Sequence, residues 1–344
     1  MATTSWRNRK TLILSRTDMM GLVTPAEYVD CVEMAFRRHG EGRCYLEPKG
    51  HIVLDKYPGE WEVMPSYIEA PVAGVDEAAA CKWVSIRENN RAKFDLPTVF
   101  SILVYTHPET GFPLAIVDGS YHTMMRTGAS AAASLRWMAR KNSKILALVG
   151  AGDVGIGALR TCATVFDWDE VRVWSRGQQT LDKFMASEEG RHPDLTIKPS
   201  TNIDDVVPGA DVVVTMTTGG NIVVRDEHVS DGMHIAALGS DLAGNQELEG
   251  AIAKRARIFV DDIRQCRSDG EINMPLTNGD ITEADVAGEI GEIITGKKQG
   301  RTSDSDITLF DSTGIAIQDS ATVPLEYQRA VEAGVGVEKK MIST

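Results

Sequence analysis

The chain has 344 residues, 42% of them hydrophobic and 25% charged, a balance that predicts a globular protein of two domains. A formal net charge of −13 argues against nucleic acid and anionic membrane as partners, since both require a basic face. The five cysteines (Cys31, Cys44, Cys81, Cys162, Cys266) are scattered without a CxxC or Cys/His cluster, so no disulfide framework or metal site is expected. No apolar run approaches the ~20 residues of a membrane span, and the opening residues lack the apolar core of a signal peptide. The expected compartment is the cytoplasm.

Thr11–Ser15 reads as a first strand. Thr24 as N-cap and Pro25 at the first helical position open a helix carried by Tyr28, Val29, Val32, Ala35 and Phe36. From Tyr45 to Tyr105 strand-like runs dominate: Gly50–Asp55, Glu62–Ile68, Ala80–Ile86 and Thr98–Tyr105, separated by Pro, Gly and Asn turns. A loop through Gly111 leads into Leu114–Val117, and an Ala-rich helix is predicted from Tyr121 through Arg140.

Ile145–Val149 is then a short apolar run of the kind found in buried parallel strands. It ends in Gly150-Ala151-Gly152-Asp153-Val154-Gly155, a match to G-x-G-x-x-G, followed by a helix-compatible segment and a second strand ending Val171-Arg172-Val173-Trp174. In that setting Gly150 permits the tight turn, Gly152 lets backbone approach a pyrophosphate, and Gly155 lets the helix sit close to the sheet. The helix N-terminus supplies N–H groups to the phosphates. NAD-preferring domains place an acid at the end of the second strand; this chain has Ser175-Arg176, which points to NADP(H) over NAD(H). Further strands are predicted at Thr196–Pro199, Val212–Met216, His234–Leu238 and Ile258–Val260, alternating with helices. That alternation marks a doubly wound sheet, and it ends near Asp311-Ser312-Thr313-Gly314, before a last helix from Ala316 to about Glu332.

Several stretches resemble the ornithine cyclodeaminase / μ-crystallin family, which also contains archaeal-type alanine dehydrogenases. They are Val63-Met64-Pro65, Lys82-Trp83-Val84, Asp95-Leu96-Pro97-Thr98, Arg126-Thr127-Gly128-Ala129, Gly239-Ser240-Asp241, Gly270-Glu271-Ile272-Asn273 and Phe310-Asp311-Ser312-Thr313-Gly314. Pro48-Lys49 and Ile315-Ala316-Ile317-Gln318-Asp319 bring the likeness nearest to the alanine dehydrogenase branch. The family usually carries Gln-Ala where this chain has Val154-Gly155. The resemblance implies a Rossmann doubly wound parallel sheet over 128–312. It also implies an α+β substrate-binding and dimerisation domain from 1–127 with 313–344, and a homodimer.

The resemblance implies the site as well. Lys49 and Arg126 would hold a substrate carboxylate, Lys82 would contact it or polarise the reacting C=O or C=N, and Met64 would line the substrate. Chemically, Arg holds a carboxylate bidentately and Lys acts as a mobile point charge. Asp241, after a strand and a Gly-containing turn, is the candidate acid/base. Glu62 matches an acid that cyclodeaminases use, or is an exposed strand residue. Asp153, Val154, Ser175, Arg176, Thr215, Thr217, Gly239, Ser312 and Thr313 would join the three glycines around the coenzyme. His122 is left out of the site. The implied activity is hydride transfer at the C–N bond of a small α-amino acid, imine or keto acid. The alternatives are ornithine cyclodeamination to proline without net redox change, and an NADPH-dependent small-ligand binding protein.

Overall fold

The computed structural model describes residues 6–87, 89–218 and 220–342; residues 1–5, where the sequence reading began, lie outside them. The chain forms two compact units: Met1–Glu27 with Gly42–Thr123 and Ile315–Thr344, and Tyr28–Glu41 with Met124–Gly314. Between these units the chain passes at 27/28, 41/42, 123/124 and 314/315. The segment Tyr28–Glu41, placed by sequence in the first domain, groups with the second, where Phe36 stacks edge-on against Phe310 at 6.0 Å.

The first unit holds an eight-stranded sheet in the order Val337–Lys339, Thr11–Leu14, Pro113–Asp118, Val99–Thr106, Val75–Ile86, Tyr57–Val72 and Cys44–Leu46, with Gly50–Leu54 also paired to Tyr57–Val72. Thr11–Leu14 runs parallel to Pro113–Asp118; every other pair is antiparallel. Two strands predicted as short pieces are one long hairpin, Tyr57–Val72 against Val75–Ile86. Alternation decides which face is buried: Glu60, Glu62, Met64, Ser66 and Ile68 turn to the same side and are all buried. The helix Ala316–Ala333 packs on that side, against both strands of the hairpin. The Ser66 hydroxyl fastens it, donating to the Ala316 carbonyl at 2.7 Å and meeting the Ser320 hydroxyl at 2.6 Å.

The second unit is built on an eight-stranded sheet in the order Ile197–Ser200, Glu170–Trp174, Ile145–Val149, Val212–Thr215, His234–Ala237, Thr308–Asp311, Arg257–Val260 and Val286–Glu289. All its pairs are parallel. The strand order reverses direction between Ile145–Val149 and Val212–Thr215, the switch point where doubly wound sheets bind ligands. Central strands read as continuous apolar runs because helices cover both faces: Val212, Val213 and Val214 are each fully buried. The strands Thr308–Asp311 and Val286–Glu289 are absent from the sequence reading, since each is only four residues long and the second is Val-Ala-Gly-Glu.

Within this unit the stretch Met124–Gly128 of the helix Gly119–Met138 crosses the helix Asp153–Cys162 at glycine. A Cβ on Gly128 would lie 2.4 Å from the Gly157 backbone, and one on Gly157 would lie 2.1 Å from the Met124 carbonyl oxygen.

Candidate active site and coenzyme cradle

At the end of the strand Ile145–Val149 the chain turns on Gly150, whose φ of +132° disfavours any side chain. A Cβ on Gly155 would stand 2.2 Å from the Gly150 carbonyl oxygen, so the first turn of the helix Asp153–Cys162 lies directly against the strand exit. Gly152, the N-cap, differs: no atom lies within 4 Å of where its Cβ would be. The N–H groups of a helix's first turn have no intrahelical acceptor. Open space therefore stands before a positively polarised helix end at the switch point. That cradle fits a dinucleotide pyrophosphate.

The neighbouring strand ends are tied together by a residue the sequence reading missed. The buried Glu247 carboxylate accepts the Thr217 N–H at 2.6 Å and the Gly239 N–H at 3.0 Å. Burial pushes its pKa up against the hydrogen bonds from Thr215, Thr217 and Gly239 that favour the charged form. Thr215, Thr217 and Gly239 thus belong to one clamped group. Asp241 follows in the loop beyond Gly239, half-buried, and no helix starts there, so it is not a helix N-cap.

Ser312 and Thr313 extend from the strand Thr308–Asp311. The Ser312 hydroxyl donates to the Asp261 carboxylate at 2.8 Å and lies 3.1 Å from the Ser130 hydroxyl. Gly314, at φ +78°, carries the Arg126 guanidinium against its backbone, where a Cβ would meet Nη1 at 2.5 Å. Arg126 is buried in the second turn of the helix Gly119–Met138, which rules out a solvated cation at a helix start. Ser175 and Arg176 follow the strand Glu170–Trp174; Ser175 is half-buried and Arg176 exposed.

The first unit carries the other predicted residues. Lys82 is fully buried in the middle of the sheet, opposite Met64 on one neighbouring strand and Leu103 on the other, so it is no strand-edge charge. Glu62 is 3% exposed and stands 3.8 Å from the Lys49 ammonium, which removes the exposed-strand reading. His51, Glu60 and Glu62 bring ligand atoms within 4.8 Å of one another, yet each carboxylate already faces a base: His51 Nδ1 meets Glu60 at 2.7 Å, and Lys49 meets Glu62. The cluster reads as a charge-balanced polar wall.

His122, which the sequence leaves out of the site, is held in the interior. It is fully buried, with Nδ1 at 2.8 Å from Glu326 and Nε2 at 3.1 Å from Asp319. Asp319 Oδ1 also accepts from the Lys82 ammonium at 3.0 Å. The signals available in sequence were the one-turn spacing of His122 from Arg126 and the seven-residue spacing of Asp319 and Glu326, which puts both acids on one helix face.

The profile of the ornithine cyclodeaminase/mu-crystallin family matches residues 9–334. An alanine dehydrogenase of Archaeoglobus fulgidus is 37% identical over 331 residues, covering 96% of this chain and 98% of that one. A solved archaeal alanine dehydrogenase dimer with bound NAD superposes with a TM-score of 0.89 at 37% identity, over 97% of this chain and all of the other. A Thermococcus litoralis Δ1-pyrroline-2-carboxylate reductase in complex with NADH and L-proline gives 0.89 at 31% identity, over 95% of this chain and 99% of the other. The match over residues 9–334 and the 37% identity along nearly the whole chain place this chain in the ornithine cyclodeaminase/mu-crystallin family.

Proposed function

We propose that the protein is a nicotinamide-coenzyme-dependent oxidoreductase acting on the C–N bond of a small α-amino or α-imino acid, with an imine as the species that gains or loses hydride. The observation that carries this reading is the Lys82 ammonium, wholly buried on the sheet face that also presents Glu62 and Met64. A dry cation is costly to keep. It suits a site that must polarise C=O or C=N, and a pocket for an apolar ligand has no use for it. Hydride exchange is what the nicotinamide contributes when bound. Lys82 would donate a hydrogen bond to the carbonyl oxygen or imine nitrogen, which stabilises charge as the bond order falls. Lys49 and Arg126 would neutralise the substrate carboxylate, and Asp241 would give or take the proton on nitrogen or on the attacking water.

Glu62 favours a second reading. A buried carboxylate beside Lys49 suits a substrate whose side chain bears an amine, and attack of that amine on the imine would make the outcome a cyclodeamination. Two incubations separate the readings: NADPH or NADH with pyruvate and ammonia, and NAD with ornithine. Net coenzyme oxidation supports the dehydrogenase or imine reductase, and proline formation without net redox change supports the cyclodeaminase. Tight NADPH binding without turnover on any amino or imino acid would leave a binding protein.

For the coenzyme we propose NADP(H). No acid follows the strand Glu170–Trp174, and Ser175 and Arg176 can donate to a 2′-phosphate. For assembly we propose a homodimer through the sheet face opposite the C-terminal helix, where Trp83 and Ile102 form an exposed cross-strand pair.

A further inference from the structure

Lys82, Asp319, His122 and Glu326 form a continuous chain of 3.0, 3.1 and 2.8 Å contacts inside the first unit, and each of the four is at most 1% exposed. The Lys82 ammonium and His122 Nε2 meet the same oxygen, Asp319 Oδ1. Both ring nitrogens of His122 face carboxylates. An ionised carboxylate only accepts, and a neutral imidazole has one N–H to give, so this geometry is satisfied by the imidazolium.

We propose that Asp319, His122 and Glu326 are positioning residues for Lys82: the His122 imidazolium, clamped between the two acids, keeps Asp319 ionised and aimed at the Lys82 ammonium while taking a share of its charge. The inference rests on the role given to Lys82 above. Charges alternate along the chain, plus, minus, plus, minus, which is how buried ions avoid an uncompensated charge. Asp319 alone would hold Lys82 but would also cancel much of its field at the substrate. By sharing one oxygen between two cations, the chain fixes the ammonium and leaves it net positive. Burial opposes the imidazolium, but Glu326 and Asp319 outweigh it and raise the His122 pKa to about 9.

Other groups lie on the elements packed around the chain. Cys81 is the neighbour on the same strand, its thiol pushed up by burial and by Asp319. The flanking strands put Met64 and Leu103 opposite Lys82. Glu62, on the Met64 strand, is paired with Lys49. From the C-terminal helix, Thr322 reaches His122 Nε2 at 3.4 Å.

The test uses full-length protein labelled with 15N-histidine and 15N-lysine, with signals assigned by the spectra of His122→Gln and Lys82→Met. At pH 7.5 His122 is expected to show both ring nitrogens protonated, and to become neutral in Glu326→Gln. The Lys82 ammonium is expected to titrate at least about one pH unit lower in Asp319→Asn and higher in His122→Gln. The basic limb of the kcat–pH profile is expected to move the same way, with coenzyme affinity unchanged. A neutral His122 in the unsubstituted protein overturns the proposal, as does a Lys82 titration that stays in place in both variants. If Asp319→Asn does not fold, by thermal melt, Glu326→Gln must produce the same upward Lys82 shift as His122→Gln, and its absence counts against the chain. Lack of turnover on every amino or imino acid would sink the functional reading, while the 15N titrations still decide this one.

Discussion

Two of the proposed roles can be separated by single substitutions. Asp241 lies beyond the clamped Gly239 turn and does not cap a helix, so Asp241→Asn removes the proposed proton carrier without removing a structural bond to a helix end. Turnover should fall ~10²-fold or more with coenzyme binding intact; near-normal turnover would take Asp241 out of the mechanism. Arg176 is exposed and follows the strand exit by two residues. Arg176→Ala should raise the KM for NADPH about tenfold, the loss of one charge-assisted hydrogen bond, and leave the KM for NADH nearly unchanged. Equal effects on both coenzymes, or a preference for NADH in the unsubstituted protein, would reverse the NADP(H) assignment.

Glycines on the helix Asp153–Cys162 have opposite reasons to be glycine. Gly152 has an extended backbone (φ −79°, ψ −168°) and nothing within 4 Å of a Cβ position, so Gly152→Val should melt like the parent protein and lose coenzyme affinity by at least about tenfold, because the side chain fills the space left for phosphate. Gly157 sits where a Cβ would be 2.1 Å from the Met124 carbonyl. Gly157→Ala must push two helices apart and should cost about 1–3 kcal/mol, read as a lower midpoint in denaturant. If the two variants exchange phenotypes, the cradle has been misplaced. The same helix shows how much of the site was legible in sequence. Gly150, Gly152 and Gly155 follow one another within a single turn, and a local turn is what a short motif can encode. Glu247 was invisible because its partners Thr217 and Gly239 lie 30 and 8 residues away, with no period to betray them.

For the molecule as a whole, association and pH response follow from what is buried and what is not. Trp83 and Ile102 are 42% and 52% exposed on one sheet face, and burying such a pair drives self-association. Light scattering at micromolar concentration should give the mass of a dimer, and Trp83→Lys with Ile102→Lys should give the monomer. The second unit buries several carboxylates whose pKa values burial pushes upward, Asp261, Glu271 and Asp311 among them. For Asp311 burial is the largest cause and the value reaches about 8 from an ordinary 3.8. The folded state therefore holds this proton more tightly than the unfolded chain. The stability it contributes is complete below pH ~4 and lost as pH rises through about 8. The melting temperature should decline between pH 5 and pH 9, and Asp311→Asn should flatten that decline; an identical slope in the variant would assign the effect elsewhere.

Sequence alone determined the elements whose signals are local. The Thr24 cap with Pro25 marked the helix observed at Pro25–Glu41, and apolar runs marked the parallel strands at Ile145–Val149 and Val212–Thr215. The family resemblance also nominated Lys82 and Arg126, and the strand followed by a Gly-containing turn nominated Asp241. Tertiary structure decided what those residues face. Glu62 is a buried wall residue only because alternate positions of the strand Tyr57–Val72 turn beneath cover. Lys82 meets an acid 237 residues away, and His122 meets one 204 residues away. Side-chain period tells which way a residue points along its own strand or helix. The partner that waits there is set by chain topology, which brings the last helix back onto the first sheet, and a buried ion pair leaves no periodic trace in the residues between.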